Sequence, residues 1–233
     1  MAEPAGKIAW VAGGSGLVGS KLLPLLIDAG DYTRVLALSR RPLPHGHPRM
    51  ANRIVRFDIP LDRQLAGMQC QDAYCCMGTT LRDAGSQEGF RAVDHDMVLQ
   101  FARTALAAGA QRFIVISSLG ASESSRSFYL RVKGQTERAL TVMAFRALDI
   151  LQPSVLIGAR RGWRPLEFLA QGALWTFNPL LLGETARFRG IAAQTVAAAM
   201  LGAARSGRLG MHRYTYRQIL ALASGAERDR ARL

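Results

Sequence analysis

The sequence predicts an α/β fold in which a doubly wound parallel sheet carries helices on both faces and ends in a small C-terminal elaboration. Three observations predict it. Short apolar runs alternate with segments of helical period, which is how a parallel sheet with covered faces reads in sequence. A glycine-rich turn follows the first apolar run and opens the first helical segment. The chain has 233 residues, 49% of them hydrophobic, enough for one good-sized core and no linker to divide it. One domain over residues 1–233 is therefore expected, with residues 159–233 mainly forming the elaboration on the substrate side.

The elements follow in order. "KIAWVAG" is a strand, and "GLVGSKLLPLLIDAG" is a helix with leucines at helical spacing. Pro24 within it should kink the helix or sit near its first turns. "RVLALSR", "NRIVRFDI" and "DAYCCMG" are the next three strands. "GFRAVDHDMVLQFARTALAAGA" is one long amphipathic helix, with Val93, Val98, Phe101, Ala105 and Leu106 at three- and four-residue steps. "RFIVISS" is a strand, "YLRVKGQTERALTVM" a helix, and "DILQPSVLIG" a sixth strand. Beyond Gly158 the pattern loosens, then resumes in the helix "AAQTVAAAMLGAARSG" and a short terminal element around "YRQILALA".

Gly14, Gly16 and Gly19 read as G-x-G-x-x-G between the first strand and its helix. Glycines there allow a tight turn and let backbone N–H groups approach a pyrophosphate at the helix N-terminus. The loop Gly13, Gly14, Ser15, Gly16, Leu17, Val18 and Gly19 is thus a candidate dinucleotide cradle of the Rossmann type. The plainer alternative is a tight turn with glycines for packing. An NAD site places an acidic residue about 20 residues further on. Here that position reads Ser39, Arg40 and Arg41, and arginines pair with a 2′-phosphate. NADP(H) is therefore preferred over NAD(H), unless the two arginines are merely solvent-facing. Asp58, at the end of "VRFD", is a candidate partner for the adenine amino group.

Composition excludes other classes. The net charge of +13 comes from dispersed arginines, not from a basic stripe, so nucleic-acid binding is not expected. Cys70, Cys75 and Cys76 cannot make a disulfide framework and read as core residues. His45, His47, His95 and His212 are too scattered for a metal site. The segment "FLAQGALWTFNPLLLG" falls short of the roughly 20 apolar residues a membrane span needs. Neither a span nor a leader peptide is expected, and a cytoplasmic location fits.

Several stretches carry a resemblance: "GGSGLVGSKLL", "CCMGTT", "EGFRAVDHDMVLQFARTALAAGAQRFIVISSLGA" and "SSRSFYLRVKGQTE". With them the chain resembles the extended or atypical short-chain dehydrogenase/reductases, and most of all the Tat-interacting-protein-like oxidoreductases. The resemblance implies that Tyr129 and Lys133 are the catalytic Tyr-x-x-x-Lys pair and that Ser117 or Ser118 is the strand-end serine. Helical spacing puts Tyr129 and Lys133 on one face, where an ammonium favours the phenolate and eases proton transfer. Lys133 would also hold the nicotinamide ribose. The serine would polarise a substrate carbonyl. Ser118 is preferred, being further toward the strand's C-terminal end. The resemblance further implies that Met77, Gly78, Thr79 and Thr80 pass the cofactor, and that Gln152, Pro153, Ser154 and Val155 run near the nicotinamide.

The expected function is an NADPH-dependent oxidoreductase moving a hydride between nicotinamide and the carbonyl or hydroxyl of a small-molecule substrate. The alternative is an NADPH-binding regulatory protein with little turnover and a possible protein partner. Trp163, Phe168, Trp175 and Phe177 are expected to form an apolar pocket or lid for the substrate, or else to fill the core of the elaboration.

Overall fold

Strand β1 (Ile8–Ala12) shows how the core is divided: Ala9 and Val11 face one apolar cluster, Trp10 and Ala12 the other, and all four are buried. That two-residue alternation, apolar on both sides, is the mark of a strand covered on both faces. The structure is a computed structural model that describes residues 6–44, 46–158 and 189–230. His45 and the four aromatic residues Trp163, Phe168, Trp175 and Phe177 lie outside the described residues.

The strands are β2 (Arg34–Ser39), β3 (Met50–Ile54), β4 (Asp72–Cys75), β5 (Arg112–Ile116), β6 (Ala147–Leu151), β7 (Leu156–Ile157), β8 (Ile191–Ala192) and β9 (Gly210–Tyr214). Seven of them make one parallel sheet in the order β3-β2-β1-β4-β5-β6-β9, and β7 pairs with β8 in a small second sheet. The order reverses direction between β1 and β4. Open α/β sheets bind ligands beyond the strand ends at such a switch point.

Helix α1 (Gly19–Asp28) lays Leu22, Leu23, Leu26 and Ile27 on one face of the sheet. Each such side chain contributes about 2 kcal/mol by leaving water. Pro24 is accommodated because it and Ser20, whose carbonyl it leaves without an intrahelical donor, are both exposed. The helix starts at Gly19, three residues later than its apolar pattern announces, because Gly16–Val18 belong to the turn. The short helices α2 (Leu61–Gln64), α3 (Leu81–Ala84) and α4 (Gln87–Arg91) precede α5 (Val98–Ala107) and α6 (Phe128–Thr141). Residues from α2, α5 and α6 complete the cluster on the second face. Helices α7 (Ala193–Arg205) and α8 (Tyr216–Arg230) join α1 on the first.

The structure departs most from the sequence reading in three places. The long helix expected over residues 89–110 is α4 and α5 joined by a π-helical stretch, Ala92–Met97. The sixth strand stops at Leu151, since Pro153 has no N–H for a ladder. Finally, the C-terminal region supplies a sheet strand, β9, paired in register with β6 from Ala147↔Gly210 to Leu151↔Tyr214.

Buried polar contacts hold β9 in place. Arg112 pairs with Asp149 and also donates to the carbonyls of Ala203 (3.2 Å) and Arg208 (2.6 Å), while the Tyr214 hydroxyl donates to Asp149 Oδ1 at 2.9 Å. Burial raises the Asp149 carboxyl above its ordinary value against the opposing pull of Arg112 and the Tyr214 hydrogen bond.

Candidate active site

The glycine loop is shaped by contacts that no side chain would tolerate. Gly13 has φ +82°, and a Cβ there would lie 2.7 Å from the Cys76 carbonyl group. A Cβ on Gly19 would lie 2.2 Å from the Gly13 carbonyl oxygen, to which Gly16 N–H donates at 2.9 Å. The loop therefore folds flat between the ends of β1 and β4 and delivers the start of α1 to the switch point. Gly14 is buried, Ser15 is exposed, and Leu17 reaches Gly158, whose Cβ would lie 2.7 Å from Leu17 Cδ1. Val18 is in the core.

After β2, Ser39 is buried and the next two residues, Arg40 and Arg41, are exposed. Asp58 lies beyond β3 and is tied to Arg56 by Nε–Oδ1 (3.2 Å) and Nη2–Oδ2 (2.5 Å) contacts, which hold its carboxyl below the usual carboxylate range. It is exposed, and no described contact links it to the glycine loop.

Met77, Gly78, Thr79 and Thr80 lie in the loop after β4. Thr80 Oγ1 caps α3 by accepting from Asp83 N–H at 3.1 Å, and Thr79 N–H donates to Asp94 Oδ2 at 2.8 Å. Asp94 is a residue of the candidate site that sequence reasoning missed. It sits in the π-helical stretch, 1% exposed, and its Oδ1 forms an ion pair with Lys133 Nζ at 2.7 Å. Burial pulls the Lys133 ammonium down, but the Asp94 charge, Tyr129 and the bond to Asp94 together outweigh it and hold it above the ordinary lysine value. A signal was present in the sequence. Asp94 stands four residues from both Phe90 and Val98, a charge in the middle of an apolar stripe.

Tyr129 and Lys133 both lie on α6, with the half-buried Tyr129 ring 5.3 Å from that of Phe90 between centroids. Lys133 Nζ lies 3.8 Å from where a Gly78 Cβ would be, so the lysine reaches the loop after β4. The two serines after β5 have different surroundings. Ser117 Oγ donates to Glu137 Oε1 at 2.5 Å, and the same carboxylate accepts from Gln152 Nε2 (2.8 Å) and Arg213 Nε (2.9 Å). Ser118 is also buried, but its hydroxyl has no protein partner among the described residues. Beyond β6, Pro153 O accepts from Leu119 N–H at 3.0 Å, Ser154 Oγ donates to Arg189 O, and Val155 is exposed.

The glycine loop and the residues after β4, β5 and β6 therefore stand at the C-terminal ends of adjacent strands, with Lys133 reaching in from α6. A dinucleotide fits the donors present, since the loop offers backbone N–H groups at a helix start and Lys133 stands beside Gly78. Among the described residues, no three His, Cys, Asp or Glu side chains gather to hold a metal, and no helix is long and apolar enough to cross a membrane.

Sheet order, glycine loop and strand-end residues define a Rossmann-type nucleotide-binding protein. The chain belongs to the NAD dependent epimerase/dehydratase family, which it matches over residues 9–137, and thus to the extended short-chain dehydrogenase/reductases. It is 36% identical over 169 residues to Protein HTATIP2 of Rattus norvegicus, covering 71% of this chain and 69% of that protein. It is 32% identical over 199 residues to Protein FMP52-1, mitochondrial, of Scheffersomyces stipitis, covering 80% of this chain and 88% of that one. The structure of MoeE5 in complex with UDP-glucose and NAD superimposes with a TM-score of 0.65 at 17% identity, covering 94% of this chain and 81% of that chain. At that identity the likeness establishes the fold.

Proposed function

We propose that the protein is an NADPH-dependent oxidoreductase acting on the carbonyl or hydroxyl of a small molecule. The observation that carries the reading is the convergence of Lys133, on the helix that also bears Tyr129, with the loop after β4 at the strand ends beyond the glycine turn. When bound, the nicotinamide supplies or accepts the hydride. Gly13 to Gly19 would take the pyrophosphate on their N–H groups, and Arg40 and Arg41 the 2′-phosphate. Lys133 would hold the nicotinamide ribose. Tyr129 would pass the proton to or from the substrate oxygen. Ser118, whose hydroxyl is uncommitted among the described residues, would hydrogen-bond that oxygen, while Ser117 holds Glu137 in place.

One observation favours a second reading, an NADPH-binding regulatory protein with little turnover. The Asp94 carboxylate, 2.7 Å away, neutralises the lysine charge that the catalytic pair would otherwise direct at Tyr129. Three unpaired cysteines suit a reducing compartment such as the cytoplasm. The FMP52-1 relative is named mitochondrial, so fractionation with a mitochondrial marker tests the location.

The deciding experiment titrates NADPH and NADH by fluorescence into the wild type and Arg40→Ala, then screens carbonyl substrates against Tyr129→Phe. Tight NADPH binding, weakened by Arg40→Ala, with turnover abolished in Tyr129→Phe, supports the oxidoreductase. Binding without turnover of any carbonyl supports the regulatory reading. Binding of neither nucleotide refutes both.

A further inference from the structure

The turn that carries Arg40 and Arg41 is fastened from a neighbouring strand. Asn52 lies on the edge strand β3, opposite Ala37 in the register with β2. Its amide nitrogen donates to Ala37 O at 3.0 Å and Ser39 Oγ at 2.7 Å, and its amide oxygen accepts from Leu43 N–H at 2.8 Å. Ser39 Oγ in turn donates to Arg41 O at 2.7 Å. These four bonds grip the segment Ala37–Leu43 before, within and after the arginine pair. Pro42 stiffens it further by fixing its own φ. At its far end Leu43 Cδ1 lies 3.7 Å from where a Gly14 Cβ would be, so the turn rests against the glycine loop.

We propose that Asn52 is a positioning residue for nucleotide specificity, holding Arg40 and Arg41 where the phosphate on the adenosine ribose would lie; the proposal rests on the NADPH reading above. Asn52 does not touch the ligand in this scheme and acts through the arginines. Only an amide meets the requirement, because one side chain must donate to Ala37 and Ser39 and accept from Leu43. A carboxylate would lose the donors and add a charge that repels phosphate. The gain is preorganisation. An exposed arginine on a loose turn gives up rotamer and backbone freedom when it grips a phosphate, and a fastened turn has already given up the backbone part.

The test is calorimetric titration of 2′,5′-ADP and 5′-ADP into the wild type, Asn52→Ala, the variant carrying both Arg40→Ala and Arg41→Ala, and the triple variant. Asn52→Ala is expected to weaken 2′,5′-ADP about tenfold and to leave 5′-ADP within about twofold, since preorganisation concerns the 2′-phosphate alone. The triple variant should bind 2′,5′-ADP no more weakly than the variant lacking both arginines. Equal weakening of both ligands, an unchanged ratio, or additive losses in the triple variant would each overturn the proposal. A wild type with no preference for 2′,5′-ADP would instead refute the NADPH reading itself. If Asn52→Ala does not fold, Ser39→Ala breaks the same relay from the other end and is read by the same ratio.

Discussion

Replacing Asp94 by Asn tests whether the buried ion pair beneath the strand ends is an electrostatic device. The amide is nearly isosteric and can still accept from Thr79 N–H, so the change removes charge and little else. At 2.7 Å the attraction between Lys133 and Asp94 is ~6 kcal/mol at an effective dielectric of about 20. Lost desolvation offsets part of it, so breaking the pair should cost about 3–5 kcal/mol at neutral pH. The sign of the pH dependence separates charge from packing. In the wild type Lys133 is held above its ordinary value, so its contribution is present below the unfolded lysine value, about 10.4, and is lost as pH rises through the folded one. In Asp94→Asn burial, the largest influence, loses its main opponent and lowers the lysine, so the variant is penalised at neutral pH and recovers as the pH approaches the unfolded value. Urea unfolding of both proteins at about pH 7 and about pH 10 should therefore show a penalty that narrows with alkalinity. A penalty of the same size at both pH values, or none at neutral pH, would refute the electrostatic reasoning.

Gly19→Ala should destabilise the fold by about 1–3 kcal/mol and abolish nucleotide binding, because its Cβ meets the Gly13 backbone oxygen at 2.2 Å; thermal melts and NADPH fluorescence check it. Ser117→Ala should cost about 1.5–3 kcal/mol by taking a donor from the Glu137 carboxylate, and Ser118→Ala less than about 0.5 kcal/mol while suppressing turnover. The reverse pattern in unfolding and rate assays would exchange their roles. Burial pushes the Cys75 thiol up to about 12, so the stability it supports is full below the unfolded thiol value near 8.5 and declines above it by about 1.4 kcal/mol per pH unit. Cys75→Ala should flatten the alkaline slope of stability by that amount, while buried Cys70 and half-buried Cys76, raised by the same cause, keep the remainder.

Strands β1, β2, β4 and β5 were legible because burial on both faces makes them nearly continuous apolar runs. The edge strands were not. In β9, Gly210, Met211 and Arg213 are exposed, and the strand is held by Arg112, Asp149 and Tyr214, residues far apart in the chain. Strand β3 was found but displaced toward "NRIVRFDI", because Asn52, Arg53 and Ile54 are exposed at the sheet edge and no buried face sets the register. Spacing and motif pointed to the glycine loop, Tyr129 and Lys133, since local geometry carries them. Asp94 and Asn52 escaped for a common reason: each acts on a partner brought near only by the fold, Lys133 across from the π-helical stretch and Ser39 across a strand pair.

The π-helical stretch Ala92–Met97 also bears on how the chain can vary in length. A helix turns by about 100° per residue, so removing one residue from the widened turn would rotate everything before it relative to α5. Val98 and Phe101 on α5 could then keep their places in the core, or Phe90 its place against Tyr129, but not both. Deletions and insertions that the exposed turns would absorb should therefore be barred from this single segment. Its length is as much a determinant of the site as the identity of any side chain in it.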